Sequence, residues 1–104
     1  MIITTTETIP GREIVQILGI ARGSTVRARA IGRDITAMFK NLVGGEIEEY
    51  TKLQAESREQ SIERMVEDAK QLDADAIINV RIATSMVMQG AAEILAYGTA
   101  VKLK

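Results

Sequence analysis

The sequence predicts a single α+β domain with the element order β-β-α-α-β-β, in which two helices cover one face of an antiparallel-rich sheet. Three observations predict this fold. Short β-branched runs occupy both ends of the chain, apolar residues recur at helical spacing in its middle, and glycine or proline separates the segments. A length of 104 residues leaves room for one domain over residues 1–104 and for no second one.

The first two strands are predicted before residue 31. Ile2–Thr5 is a short β-branched run, and the Pro-Gly pair at residues 10–11 marks the turn after it. Glu13–Ile20 is mainly apolar, which is typical of a strand covered on both faces. Gly19 within it indicates a bulge or the close approach of another backbone. The Gly-Ser pair at 23–24 is expected to end or bend this strand, with the chain extended again beyond it.

Two helices are predicted in the middle of the chain. The first runs from Gly32 or Arg33 to about Val43 and ends at the glycine pair 44–45. The second, Ile47 to about Leu72, contains neither glycine nor proline. At 1.5 Å per residue it would span about 39 Å, whereas a globule of this size is about 26–30 Å wide. Part of the second helix is therefore expected to project or to pack against a neighbouring subunit.

Two more strands are predicted after the second helix. Residues 73–75 form the exit turn, and the apolar run Ala76–Ala83 is the next strand. A loop that contains residues 89–90 leads to the last strand, Glu93–Leu103, where apolar side chains alternate. Gly98 inside that strand indicates a close backbone contact.

Five short stretches carry a family resemblance by their order and spacing. They are Thr5–Gly11, Leu18–Val26, Arg33–Tyr50, Asp73–Val80 and Gly98–Val101. Together they resemble the YbjQ family of small bacterial proteins over essentially the whole chain. The resemblance implies a dodecin-like subunit of a homopentameric ring, in which extra short strands help assembly. It also implies an uncharacterised function that often has a heavy-metal-binding label. One departure is Asp73, where the family usually has glycine.

Composition excludes several kinds of chemistry. The chain has no histidine and no cysteine, so it cannot form Ser-His-Asp or Cys-His triads, disulfides or histidine-based zinc sites. A Ser–Lys dyad that uses Lys102 or Lys104 stays open, although no spacing proposes it. No stretch approaches the ~20 apolar residues of a membrane span, and the first residues do not resemble a signal peptide. We therefore expect a non-catalytic, cofactor-free cytoplasmic protein.

Met86 and Met88 are the only candidates for a soft-metal site. Soft metals prefer thiolate, thioether or imidazole ligands, and this chain offers only thioethers. On an extended segment the two sulfurs would lie on the same side and could bind Cu(I). The alternative is that both side chains fill a gap between a loop and the core. Clusters of carboxylates occur, but none has the spacing of a calcium-binding loop, so no metal site is predicted.

Arg22, Arg27, Arg29 and Arg33 are the candidates for an anion site. Residues 22–40 carry five basic residues against one acidic residue, whereas residues 46–75 carry ten acidic residues against four basic ones. Arginine forks suit phosphate groups. The favoured alternative is that these arginines pair with the acidic helix of the same or an adjacent subunit. Nucleic acid is a poor fit, because the chain is acidic overall and has few aromatic side chains for stacking.

A second copy of the chain is the main partner that the sequence predicts. Subunit interfaces are natural places for small-molecule pockets, and Tyr50 and Tyr97 are the best candidates for the walls of such a pocket. The alternative is that both tyrosines belong to the core. The sequence thus predicts a non-catalytic homo-oligomeric module of uncharacterised role, which binds a small ligand or a partner between subunits, with heavy-metal and anion binding as alternatives.

Overall fold

The computed structural model describes residues 1–28 and 48–104. Their elements are β1 (Ile2–Ile3), β2 (Ile14–Ala28), α1 (Glu48–Gln71), β3 (Ala76–Met88) and β4 (Ala91–Leu103). The four strands form one sheet in the order β1-β3-β4-β2, with β1 parallel to β3 and the other pairs antiparallel. The α+β class is confirmed, and the sheet is mixed. The first predicted helix lies outside the described residues.

β2 is one continuous strand, so the break predicted at residues 23–24 is wrong. Residues 21–28 pair with β4 without interruption. A Cβ atom at Gly23 would lie 2.5 Å from the carbonyl oxygen of Ser61 and 2.6 Å from the Cβ of Arg64, both on α1. Glycine is therefore needed here because the helix backbone packs directly on the strand.

Two other glycine predictions are confirmed. The pairing of β2 with β4 shifts by one residue between Ile17 and Gly19, where Gly19 has a φ of 132°. This shift is the expected bulge. At Gly98 a Cβ atom would lie 2.7 Å from the Cγ2 of Ile77 and 2.9 Å from the carbonyl oxygen of Ile78, so β3 approaches β4 closely there.

α1 packs on one face of the sheet, over β2 and β4, and contacts β3 only slightly. The core between helix and sheet consists mainly of small residues, which explains the close approach: Ala21, Met65, Ala69, Ile77, Val80, Ala96 and Ala100. A second, smaller cluster lies around Val101, where Ile9 of the N-terminal arm (residues 4–12) packs against it.

The second predicted helix is confirmed as α1, which has 24 residues and is therefore about 36 Å long. The principal-axis extents are 55 × 25 × 16 Å and the radius of gyration is 17.3 Å, whereas about 13 Å is typical of a compact chain of this length. The elongated shape agrees with the expectation that α1 is longer than a compact globule is wide.

The helix ends in a Schellman motif. The amide of Ala74 donates to the carbonyl of Ala69 at 3.1 Å, and the amide of Asp73 donates to the carbonyl of Lys70 at 3.0 Å. Asp73 has a φ of 61°, the left-handed conformation that glycine usually supplies at this position. Asp73 therefore occupies a position where glycine has a physical advantage.

The hairpin of β3 and β4 is longer than predicted. β3 continues to Met88 and β4 begins at Ala91, so the connection predicted at residues 89–90 is present but is a two-residue turn, shorter than the predicted loop. The sequence did not indicate this extension because residues 84–88 are exposed. Pairing with β4, and not burial, makes this segment a strand.

Candidate functional site

The sheet face opposite α1, called here the open face, carries Tyr97 between two arginines. Arg22 of β2 and Arg81 of β3 are the direct Cα partners of Tyr97 on β4. Residues paired directly across a ladder lie on the same face. Tyr97 is 38% exposed. The structure thus brings together Arg22 and Tyr97, which the sequence assigned to different candidate sites. Tyr50 lies on α1, but its side chain is outside what the structure describes.

The two arginines of this row have different surroundings. The Nη1 of Arg81 donates to the carbonyl oxygens of Thr5 at 3.0 Å and Val80 at 2.9 Å, which ties the N-terminal arm to β3. The backbone amide of Arg22 donates to Oδ2 of Asp68 at 3.0 Å. Within residues 1–28 and 48–104, the guanidinium of Arg22 makes no hydrogen bond or ion pair. It is therefore available to a ligand or a partner.

Arg81 was missed by the sequence reasoning because a bulge reverses its face. Strict alternation from Ile77, which lies in the core beneath α1, would place Arg81 on the same side. The register shift between Ile78 and Arg81 moves it to the open face, and Asn79 in the shift has a φ of 53°. The only signal in the sequence was an asparagine, which tolerates this conformation.

Arg27 lies on the helix side of the sheet, so it does not share a site with Arg22. Its Nη2 donates to the Oε1 of Gln60 at 2.6 Å. It borders an open groove of about 450 Å³, whose other lining residues are Ala55, Glu56, Glu59, Gln60 and Glu63. Arg27 therefore faces the acidic helix of its own chain, where its hydrogen-bond partner is the neutral amide of Gln60. Arg29 and Arg33 lie outside the described residues.

Large apolar side chains on the open face of β2 are uncovered. Ile17, Ile20 and Val26, the β2 stripe, are 71%, 67% and 58% exposed. The prediction that Glu13–Ile20 is covered on both faces is thus not met by the residues that the structure describes. The reason is that the N-terminal arm covers this side of the sheet only around Val101.

The outer part of β3, Ile82–Met88, is a second uncovered surface. Every residue from 81 to 89 is exposed, because α1 lies over the other two long strands. The segment contains no charged residue and no proline. β1 pairs with β3 only at Ala76 and Ile77, so the outer edge of Ile82–Met88 has no neighbouring strand in the described part of the chain.

Met86 and Met88 do not form the pair of ligands that the sequence suggested. They are opposite consecutive residues of β4, Ala92 and Ala91, because the register shifts between them. Their side chains therefore leave the hairpin on opposite faces. At 79% and 64% exposure they do not fill a gap in the core either. Among the residues that the structure describes, no cluster of three histidine, cysteine or acidic side chains could hold a metal.

A buried polar cluster joins α1 to the sheet. The Oγ of Ser61 lies 2.9 Å from the carbonyls of Ser57 and Ile94 and 3.0 Å from the Oγ1 of Thr25. The Oγ1 of Thr25 also lies 3.1 Å from the carbonyl of Ser57. The Oγ of Ser57 is buried and has no hydrogen-bond partner among the described residues. The hydrogen bonds of Ser61 and Thr25 tie α1 to β2 and β4.

Lys102 is engaged by two carboxylates and is unsuited to act as a base. Its Nζ lies 3.3 Å from Asp73 and 3.5 Å from Asp75. Desolvation lowers the pKa of Lys102, but hydrogen bonds and charges from both aspartates outweigh it, so the pKa is raised. The amide of Leu103 donates to Asp75 at 2.9 Å and is the main reason that the pKa of Asp75 is lowered. A Ser–Lys dyad through Lys102 therefore has no support.

Comparison with known proteins gives one family. The YbjQ family model, described as "Putative heavy-metal-binding", matches residues 1–104. A UPF0145 protein of Methanosarcina acetivorans is 60% identical over 103 residues, covering 99% of this chain and 97% of the relative. UPF0145 proteins of Archaeoglobus fulgidus and Thermosipho africanus are each 58% identical over 104 residues, covering 100% of this chain and 96% of the relative. Archaeal relatives make the bacterial distribution expected above too narrow.

A solved structure gives the same fold at low sequence identity. The crystal structure of a protein of unknown function from Pediococcus pentosaceus has a TM-score of 0.66 at 18% identity, covering 100% of this chain and 98% of that chain. At this identity the likeness shows the fold alone. Over the residues described here, no helix is long and apolar enough to cross a membrane.

Proposed function

The chain belongs to the uncharacterised YbjQ family, and from that premise and the uncovered apolar surfaces we propose that it is a non-catalytic homo-oligomeric module. A small ligand or partner binds where subunits meet. The observation that carries the proposal is the β2 stripe, three large aliphatic side chains more than half exposed on one strand. Burial of one such side chain contributes about 1.5–3 kcal/mol.

Two further features support assembly through these surfaces. Exposed large apolar side chains that gather on one face of a sheet favour an interaction site there. The elongated sheet also exposes all of Ile82–Met88. A second copy of the chain would cover apolar surface that the chain leaves uncovered. The family resemblance sets the proposed number of copies at five, and the cytoplasm is the proposed location for a chain without cysteine.

The test is the mass of the protein in solution. Light scattering coupled to size exclusion at micromolar concentration should give a single species whose mass is a multiple of 11.4 kDa, with five copies expected. Thermal-shift screening of small molecules should then find stabilising compounds whose effect falls when Tyr97 is replaced by Ala. A monomer at micromolar concentration would contradict the proposal.

Anion binding on the open face is a second candidate function. Arg22 favours it, because its guanidinium has no partner within the described residues and it is the Cα partner of the exposed Tyr97. Titration with pyrophosphate should show affinity that falls as salt is added. The variant Arg22→Ala should lose this affinity. The matched control Arg27→Ala should retain it, since Arg27 is on the other face beside Gln60. Equal loss in both variants would contradict the site.

Heavy-metal binding, which the family description suggests, does not fit the side chains of this protein. The sequence has neither histidine nor cysteine, and the two methionines of the hairpin lie on opposite faces. We expect no uptake of Cu(I) or Zn²⁺ in equilibrium dialysis at micromolar protein. Stoichiometric uptake that persists after Met86→Leu and Met88→Leu would show that another donor set exists.

A further inference from the structure

The open face carries two arginines beside one tyrosine, and their guanidinium groups are engaged differently. Arg22 and Arg81 are the Cα partners of Tyr97 on its two sides, so their Cα atoms lie about 10 Å apart across the sheet. Asp68 accepts from the backbone amide of Arg22 and not from its guanidinium. Arg81 donates from Nη1 to two backbone carbonyls. If Arg81 left these carbonyls, two long basic side chains would be within reach of one anion above Tyr97.

The N-terminal arm holds Arg81 on the side of β3 that is away from Tyr97. The sheet order β1-β3-β4 places the two neighbours of β3 on opposite sides of it. The arm follows the outer edge of β3 beyond β1, since the amide of Val80 donates to the carbonyl of Thr4 at 3.0 Å. The carbonyl of Thr5, the next arm residue, accepts from Arg81 at 3.0 Å. Arg81 must therefore leave Thr5 to join an anion above Tyr97.

Little buried surface holds β1 and the N-terminal arm to the rest of the chain. Ile2 and Ile3 of β1 are 38% and 41% exposed. Ile9 is the arm residue that packs against the apolar cluster around Val101, and it is only half-buried. Segments with few buried apolar contacts and solvent-exposed hydrogen bonds open at a low free energy. The arm can therefore detach from β3 while the sheet stays folded.

The charge of the acceptor decides which partner Arg81 prefers. Thr5 and Val80 offer neutral carbonyl oxygens, whereas a hydrogen bond to an ionised acceptor is about twice as strong. Two linked phosphoryl groups offer enough oxygens for two guanidinium forks, each of which binds phosphate through parallel N–H groups. Glu93, the acidic residue of β4, is four residues from Tyr97 along the strand, about 13 Å. It therefore does not neutralise this row.

Resting on the second candidate function, anion binding at Arg22, we propose that the open face binds a diphosphate-type anion through Arg22 and Arg81 together. The N-terminal arm controls this site, because it keeps Arg81 at Thr5 until the arm detaches. Anion binding and arm detachment then favour each other by the same factor. A single phosphate, which one arginine satisfies, leaves the arm in place.

Titration calorimetry with two anions tests the ligand class. The wild type should bind pyrophosphate at least about tenfold more tightly than orthophosphate, since only pyrophosphate engages both arginines. Arg81→Ala should lower the affinity for pyrophosphate to that for orthophosphate and leave the affinity for orthophosphate unchanged. The control Arg58→Ala removes the same charge from the exposed side of α1 and should change neither affinity. Equal affinity of the wild type for both anions, or equal losses in Arg81→Ala and Arg58→Ala, would contradict the two-arginine site.

Amide hydrogen exchange tests the detachment of the arm. The amides of Thr4, Asn79 and Val80 form the hydrogen bonds between the arm and β3, each at 3.0 Å. Saturating pyrophosphate should speed exchange at these three amides by about tenfold or more, since it shifts the population to the detached arm. Orthophosphate should not, and in Arg81→Ala pyrophosphate should have no effect on them. Slower or unchanged exchange in the wild type with bound pyrophosphate would overturn the proposed control by the arm.

A pair of isoleucine variants tests the same coupling from the side of the arm. Ile9→Ala removes the packing of the arm, so it should raise the affinity for pyrophosphate by about threefold to tenfold, because more molecules have Arg81 released. The matched control Ile14→Ala removes a half-buried β2 side chain from the same cluster and should leave the affinity unchanged. Circular dichroism shows whether both variants are folded. An affinity that does not rise in folded Ile9→Ala would count against the coupling.

The results separate the inference from the function on which it rests. Pyrophosphate binding that is lost in Arg22→Ala but unchanged in Arg81→Ala leaves the anion site standing and overturns the inference. A wild type that binds no pyrophosphate at low salt removes both. Self-assembly is measured separately, by the mass of the wild type without ligand.

Discussion

The two faces of the sheet are built in different ways: one is packed beneath α1, and the other carries exposed apolar side chains. On the helix side, glycine, alanine and serine let α1 approach β2 closely, and Ala21, Met65 and Ala69 are fully buried. On the open face, isoleucine and valine remain exposed beside Arg22 and Tyr97. A folding core and an exposed apolar face thus share the same strands.

The largest expected effect is on the helix side, at the closest contact between α1 and β2. Gly23→Ala should destabilise the protein by about 3 kcal/mol, since the added Cβ would overlap backbone atoms of α1, which cannot rotate away. Urea unfolding followed by circular dichroism measures this. The adjacent Ser24→Ala changes the open face and should alter stability by less than about 0.5 kcal/mol. Equal losses of stability in Gly23→Ala and Ser24→Ala would show that the helix side is not packed more tightly than the open face.

Replacing each of two serines in the buried cluster by alanine should affect stability differently. Ser61→Ala removes hydrogen bonds to the carbonyl of Ile94 and to Thr25, so it should cost about 1–3 kcal/mol. Ser57→Ala removes a buried hydroxyl that has no partner in the described part of the chain, so it should be neutral or stabilising by about 1 kcal/mol. The pair is measured in the same urea titration. A large loss in Ser57→Ala would indicate an unrecognised partner.

A glycine in place of Asp73 at the end of α1 should stabilise the protein. Asp73→Gly relieves a left-handed conformation, which is worth about 1 kcal/mol. The lost ion pair with Lys102 is weak, because the Asp73 side chain is 93% exposed. We expect a rise of several degrees in the melting temperature. Asp73→Asn, which removes the charge but keeps a residue that tolerates this conformation, should change it less. A decrease in Asp73→Gly would mean that the ion pair dominates.

The smallest expected effect is a pH dependence at the end of the sheet. The pKa of Asp75 is lowered from 3.8, mainly by the amide of Leu103. A carboxyl with a lowered folded-state pKa stabilises the protein above its unfolded pKa, and this contribution is lost as the pH falls through the folded value. The acid side of the stability curve should therefore flatten in Asp75→Asn. An unchanged acid limb below about pH 4 would contradict the assignment.

The elements were largely predictable from local pattern. An uninterrupted amphipathic run predicted α1, and glycines predicted the bulge at Gly19 and the close contact at Gly98. The break predicted at Gly23 was wrong because glycine there accommodates contacts with Ser61 and Arg64, which are 38 and 41 residues away in sequence. A local reading cannot tell a turn glycine from a glycine that accommodates a helix.

The candidate site was predicted only in part. Arg22 and Tyr97 were both named, but their juxtaposition depends on the pairing of β2 with β4. Register shifts near Asn79 and Val87 reverse the alternation of side chains along β3. For this reason Arg81 was missed, and Met86 and Met88 were wrongly predicted to lie on one side. Neither Asn79 nor Val87 indicates a bulge in the sequence as clearly as a glycine does.

The sequence by itself determined where the long helix and the strands lie and which chemistries are impossible, because periodicity and composition are local properties. Only the tertiary structure decided which face each arginine occupies and which apolar side chains stay uncovered. The physical reason is that a strand's side chains alternate, so a single bulge moves every later residue to the other face. Which face α1 covers depends in turn on where small residues from distant segments meet.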